Sequence, residues 1–314
     1  MNLKLFYYLC SESFIKMKRR AFLKQISGGI LLASVMPSFS CSRPTLRFGL
    51  VTDLHYAQKE PAINRYYKDS ILKLRKAIET FNSSHLDFII ELGDLKDMGV
   101  TPNETETLHF LDEIEETLQS FSGPIYHVLG NHDMDCIAKA DFLKHTANPG
   151  GAKGKAFYSF AKKGIRFIVL DANYNEDRSS YNKGNFDWRK AFVPQEQLDW
   201  LEGELHKDSR PTIIFLHQML DSFSDISKDL CVGNAEEVVA ILERHPQVLA
   251  VFQGHHHDGF YSQRNGIHYF TMKGMIESTF PEHNSYAIVE IRPNGDIFLE
   301  GFDDCVNKEM KHIY

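Results

Sequence analysis

Short apolar runs rich in β-branched side chains recur along the chain, and five of them stop at a polar cluster. Leu46–Thr52, Phe88–Leu92, Ile125–Leu129, Thr212–Leu216 and Val248–Gln253 have the length and composition of buried strands. Between the first three the period changes from strand to helix. Tyr66–Phe81 puts Ile71, Leu74, Ile78 and Phe81 on one face, and Glu104–Phe121 does the same with Leu108, Leu111, Ile114 and Leu118. Strands separated by crossover helices predict parallel pairing. Gln195–Leu205 and Ala235–Arg244 read as two further helices. Phe157–Phe160 and Ile165–Leu170 read as strands joined at Lys162-Lys163-Gly164. From Gly259 to Phe302 apolar and polar residues alternate, with turn signals at Arg264-Asn265-Gly266 and Pro293-Asn294-Gly295-Asp296. The pattern alone implies a mixed α/β fold with two sheets. Asn173–Val193 is polar, aromatic and without period, which predicts a long loop near the functional site.

The clusters that end the strands carry the chemistry. They are Asp53-Leu54-His55, Gly93-Asp94-Leu95-Lys96-Asp97, Gly130-Asn131-His132-Asp133, His217 and Gly254-His255-His256-His257. Carboxylate, amide and imidazole groups at five strand ends converge if the strands share one sheet edge, where open α/β sheets place their ligands. Mixed oxygen and nitrogen donors suit Mn, Fe or Zn better than Ca or Mg. Any one cluster alone is more often a surface or capping feature. Their order, placement and number together point to two divalent metal ions.

The set resembles the calcineurin-like metallophosphoesterases, whose blocks D-x-H, GDxxD, GNH[DE], a lone His and GHxH occur here in the family's order between Leu46 and Asp258. The resemblance implies a four-layer α/β/β/α sandwich. It implies Asp53, His55 and His257 on a first metal, Asn131, His217 and His255 on a second, and Asp94 bridging both. It further implies a metal-held hydroxide attacking phosphorus. His132 would act as general acid, oriented by Asp97, with Asn131 completing the catalytic set. For Asp97 a helix-capping role is the plain alternative. Asp133 reads as structural. If Gly254–His257 is extended, His256 points away from its neighbours and does not ligate.

A narrower resemblance is to manganese-dependent ADP-ribose/CDP-alcohol diphosphatases. It is carried by Arg65-Tyr66-Tyr67, Gln195–Leu201, Gly233-Asn234-Ala235-Glu236, Gly254–Gly259 and Gly274-Met275-Ile276-Glu277. Those enzymes tend to have Gln where this chain has His55, and a different residue at Asp97. The resemblance implies a small nucleotide-linked substrate. Glu277 could accept from a ribose or base, Tyr66 or Phe280 could stack on a base, and His283 lies in the same stretch. Phosphomonoesters or cyclic phosphodiesters are the alternative substrates. An inactive metal-binding surface protein is the alternative class.

Composition adds boundaries rather than chemistry. A net charge of −7 gives no electrostatic footprint for nucleic acid. Lys18-Arg19-Arg20-Ala21-Phe22-Leu23-Lys24 looks like a twin-arginine export signal, followed by an apolar stretch, Ile26–Met36, too short to span a bilayer. Met17 is a candidate start. Residues 1–44 are therefore expected to be an extension and export signal, and 45–314 the catalytic domain. Ser38-Phe39-Ser40-Cys41 is an imperfect lipobox, leaving a lipid-tethered or a soluble periplasmic product open. Cys136, Cys231 and Cys305 are far apart and suggest no zinc knuckle, with one disulfide compatible with an oxidising compartment.

Overall fold

A computed structural model describes residues 45–146 and 148–312. The export segment and Cys41 lie outside them. Two six-stranded mixed sheets form the fold. The first runs β12(Lys308–Met310)-β11(Ile297–Asp303)-β10(Ser285–Ile291)-β1(Leu46–Val51)-β2(Phe88–Glu91)-β3(Ile125–His127). The second runs β4(Tyr158–Lys162)-β5(Ile165–Val169)-β6(Thr212–Phe215)-β7(Val248–Gln253)-β9(Ile267–Thr271)-β8(Phe260–Arg264). As the sequence predicts, β1, β2 and β3 are parallel, and so are β5, β6, β7 and β9. The parallel strands are buried along their length, as strands covered on both faces must be.

The sheets pack face to face through aromatic side chains. Phe48 of β1 meets Phe167, Phe215 and Phe252 of the second sheet edge-on, with ring centroids 5.8–6.0 Å apart. On the outer face of the first sheet lie α1(Ser70–Ser83) and α2(Glu104–Leu118), burying Leu74, Ile78 and Phe81 and Leu111, Ile114 and Leu118. A second apolar cluster seats α4(Gln195–His206) and α5(Ala235–Glu243) on the outer face of the other sheet, through Leu198, Leu201, Val238 and Leu242. The layers are therefore α/β/β/α. A short helix, α3(Lys139–His145), and strand β12 carry no strong sequence signal.

Local chemistry sets the boundaries. The Asn103 side chain caps α2 by accepting from the Glu106 amide at 3.1 Å. Helix α1 begins at Ser70 rather than Tyr66, because the Tyr66 amide is taken by the Ile276 carbonyl at 3.1 Å. The hairpin turns are two residues long at Lys163-Gly164 and Asn265-Gly266, all four with positive φ as that turn class requires. Cys136, Cys231 and Cys305 are buried free thiols.

Candidate active site

The C-terminal ends of β1, β2, β3, β6 and β7 meet at one edge of the sandwich, bringing all seven sequence-predicted ligand residues together. The chain turns sharply at each strand end. Asp53, His55, Asp94 and His255 all have left-handed backbone, with φ between 47° and 70°. Such conformations persist only where surrounding structure holds them, and they cluster at functional sites. Gly93, at φ 100°, passes so close to Gly130 that a Cβ would stand 2.5 Å from its amide nitrogen. Asp133 ties these loops together by accepting from the amides of Gly130, Asp94 and Leu95 at 2.8–3.0 Å, the structural role its position suggests. Lys96 adds a buried ammonium on the His132 carbonyl at 2.6 Å, also paired with Asp135.

Two groups of ligand-capable atoms lie side by side. Asp53, His55 and His257 form one; Asp94, His217 and His255 form the other. In the first, His55 Nε2 stands 3.1 Å from His257 Nε2, which is 3.3 Å from Asp53 Oδ1. Asp94 Oδ2 faces both groups, 3.6 Å from His55 Nε2 and 3.1 Å from His217 Nε2. A third such group joins His55 to Asp97 and His132, so His55 belongs to two; the first group has the residues the resemblance implies for the first metal, and the group of Asp94, His217 and His255 has two of those implied for the second.

These donors fit two divalent metals. Asn131 Oδ1 and His255 Nε2 are buried without a hydrogen-bond partner. Uncompensated burial of such groups is costly, and a cation between them removes the cost. The unused nitrogens are set by the partners of the others: His217 Nδ1 is 2.8 Å from the Leu92 carbonyl, and His257 Nδ1 is 2.7 Å from Glu277 Oε1. Electrostatics agree. Burial disfavours charge throughout, but histidines around Asp53 and Asp94 hold both carboxyls far below their usual range. Burial likewise opposes charge on His217 and His257. The carboxylates of Asp94 and Asp53 override it, raising His217 to about 10 and His257, through Asp53, to about 9. His255 goes down to about 3, driven by burial and by charged His217.

His132 lies at the cavity side of this cluster, its Nδ1 3.3 Å from Asp97 Oδ1. Asp97 is not a helix cap, since α2 is capped by Asn103. Its second oxygen lies 3.7 Å from His55 Nδ1 and 3.1 Å from Lys59 Nζ. It therefore reaches His132 and a candidate ligand at once.

The cavity above the cluster has a volume of about 580 Å³. Of the four substrate-side residues expected from sequence, only Glu277 lines it. Glu277 is engaged by His257 and, at 2.9 Å, by Asn64, so it is a support for a candidate ligand rather than a free acceptor for a ribose. His283 turns instead to Asp304, 2.9 Å away, and the Phe280 amide is held by Asp69 at 3.0 Å. Tyr66 is outside the lining, its segment fixed to Ile276. The wall consists of residues sequence reasoning missed, among them Ile63, Asn64, Arg65, Trp188 and Leu230. Trp188 sits in the long loop expected near the site, and a lone Trp there was the available signal. His256 also lines the cavity. The segment is a tight turn rather than a strand, so the period-two argument that turned His256 away does not apply, although it belongs to neither ligand group.

A family model described as calcineurin-like phosphoesterase matches residues 46–259. A manganese-dependent ADP-ribose/CDP-alcohol diphosphatase from Arabidopsis thaliana is 27% identical, covering 86% of this chain and 98% of that protein. The Homo sapiens protein of that name is 25% identical, covering 79% and 87%. The crystal structure of a dimetal phosphatase from Danio rerio superposes with a TM-score of 0.72 at 22% identity, covering 85% of this chain and 99% of that one. The chain belongs to the calcineurin-like phosphoesterase family and is a metal-dependent phosphohydrolase.

Proposed function

We propose that the enzyme hydrolyses the pyrophosphate bond of nucleoside-diphosphate-linked compounds, as the names of its curated relatives say of those proteins. The observation that carries this reading is Asp94 facing two donor groups beneath a cavity of about 580 Å³, a volume in the range of small-ligand sites. Asp53, His55 and His257 would hold one metal, Asn131, His217 and His255 the other, with Asp94 shared. Two divalent cations there supply Lewis acidity and a water of lowered pKa. The protein's own part is positional and protic. Burial works against charge on His132, but Asp94 and Asp97 override it and raise its pKa above the usual histidine value, favouring the protonated form a general acid needs. Its Nδ1 faces Asp97, which leaves Nε2 to protonate the departing oxygen.

Residues 1–44 would direct export and 45–314 carry out the reaction, which places the enzyme in the periplasm or on a lipid tether at Cys41. The support for this address is the Lys18–Lys24 pattern alone. Detection of the mature protein in the periplasmic or membrane fraction tests it. For the activity, the manganese-loaded enzyme is assayed on ADP-ribose, CDP-choline, a cyclic nucleotide and p-nitrophenyl phosphate. Preference for the first two supports the proposal. Preference for either of the others transfers the assignment to that class, and no turnover of ADP-ribose or CDP-choline removes the pyrophosphate reading.

A further inference from the structure

Among the described residues that line the cavity, Arg65 alone carries a permanent positive charge. Its guanidinium makes no hydrogen bond or ion pair with a described residue. Its backbone is fixed. The Arg65 amide donates to the Ala62 carbonyl at 3.0 Å, Tyr66 is tied to Ile276, and Arg65 forms an isolated bridge with Glu277. Glu277 attracts Arg65 at a distance but makes no hydrogen bond or ion pair with it, its oxygens accepting instead from Asn64 and facing His257. A planar fork of donors on a held backbone, with no hydrogen-bonded anion, lines a cavity above the donor cluster.

Arg65 and His132 line the same cavity, together with the donor cluster and Trp188. Glu277, bridged to Arg65 through the backbone, holds His257, whose ring lies 5.0 Å from that of His55, which lies 4.6 Å from that of His132. A substrate whose reacting phosphorus sits over the donor cluster can therefore present a second phosphate to Arg65 within one cavity.

We infer that Arg65 recognises the non-reacting phosphate of a diphosphate-linked substrate; this rests on the pyrophosphate reading above. In that hydrolysis water gives its OH to the attacked phosphorus and its remaining proton to solvent, from which His132 is protonated again. The bond from that phosphorus to the bridging oxygen breaks, and the oxygen leaves on the second phosphate with a proton from His132. Charge grows on that phosphate as the bond breaks, so a guanidinium beside it is worth more in the transition state than before. A phosphomonoester has no second phosphate and leaves Arg65 unused. Arg65 thus sets discrimination between the two classes.

The test compares full-length manganese-loaded wild type, Arg65→Gln and Arg65→Lys. The ratio of kcat/KM on ADP-ribose to that on p-nitrophenyl phosphate should fall roughly 10–100-fold in Arg65→Gln, the effect of one charge-assisted contact. Arg65→Lys should recover part of it. An unchanged ratio, or a parallel loss on both substrates, overturns the inference. Inhibition of p-nitrophenyl phosphate turnover by ADP and AMP gives a second readout. Wild type should favour ADP, and Arg65→Gln should lose that preference. Equal inhibition of wild type by both also overturns it. If ADP-ribose is not hydrolysed, the pyrophosphatase reading falls and takes the role in catalysis with it, while an ADP preference that depends on Arg65 still assigns this residue to binding a second phosphate.

Discussion

Replacing Glu277 by Gln should weaken one metal site and spare the other. Glu277 Oε1 lies 2.7 Å from His257 Nδ1, while the Nε2 of that ring points to Asp53 Oδ1, 3.3 Å away. Burial works against charge on Glu277, but the hydrogen bond from His257 more than offsets it and keeps the carboxyl below its usual range. An ionised acceptor on Nδ1 fixes the ring and raises the basicity of Nε2. Loss of such a support typically costs 10–100-fold in metal affinity, about 1.4–2.8 kcal/mol. The amide keeps the shape of the carboxylate and removes its charge; with its oxygen on His257 its NH2 faces Asn64, whose own amide turns over to keep that contact. Calorimetric titration of the metal-free protein with Mn(II) reads both sites. The site built on Asp53, His55 and His257 should lose affinity by that factor. The site built on Asn131, His217 and His255 should change little. Unchanged affinity at both sites would show that Glu277 acts only toward substrate, and equal loss at both would show a general collapse of the site.

Metal loading should release protons. Ligation requires neutral imidazole, and in the metal-free site His257 is raised to about 9 and His217 to about 10, so both are protonated at pH 7. His255, lowered to about 3, has none to lose. Affinity at each site should climb about tenfold per pH unit until its histidine titrates, and titration in buffers of different ionisation enthalpy should show about two protons released per chain; release near zero would contradict the electrostatic account. His132→Gln should keep both metals and lower kcat roughly 10²–10⁴-fold, with a smaller loss on p-nitrophenyl phosphate, whose leaving group needs little protonation. Equal losses on an alkyl ester and the nitrophenyl ester would remove His132 from the acid role.

Much of the fold and the metal cluster was legible because both are written locally. A buried strand is a short apolar run, and its end is marked by the first polar residues, so Asp53, Asp94, Asn131, His217 and His255 announce themselves in sequence. What was not legible depends on packing between distant segments. Glu277 meets His257 only because the loop after β9 folds back beside β7's end, and that contact turns an expected substrate acceptor into a ligand support. The neighbouring His283 and Phe280 were candidates by proximity in sequence, yet Asp304 and Asp69 draw them elsewhere. Tyr66 read as the start of a helix until its amide found Ile276. The His256 reading assumed an extended backbone, and the left-handed turn at His255, φ 70°, removed that premise. Arg65 stood in a stretch that carried the narrower resemblance without being read as a site residue, and Trp188 has no motif around it; only the cavity between the loops shows that they face the same space.

The account stands most directly on Asp94, whose Oδ2 lies 3.6 Å from His55 Nε2 in one donor group and 3.1 Å from His217 Nε2 in the other. Its substitution by Asn keeps the shape and removes the charge that offsets two neighbouring cations. Elemental analysis of purified wild type and Asp94→Asn, after equal exposure to manganese and desalting, measures what that charge does. The account predicts two metal ions per chain in wild type and loss of tight binding at both sites in the variant. Two tightly bound ions per chain in Asp94→Asn would contradict it.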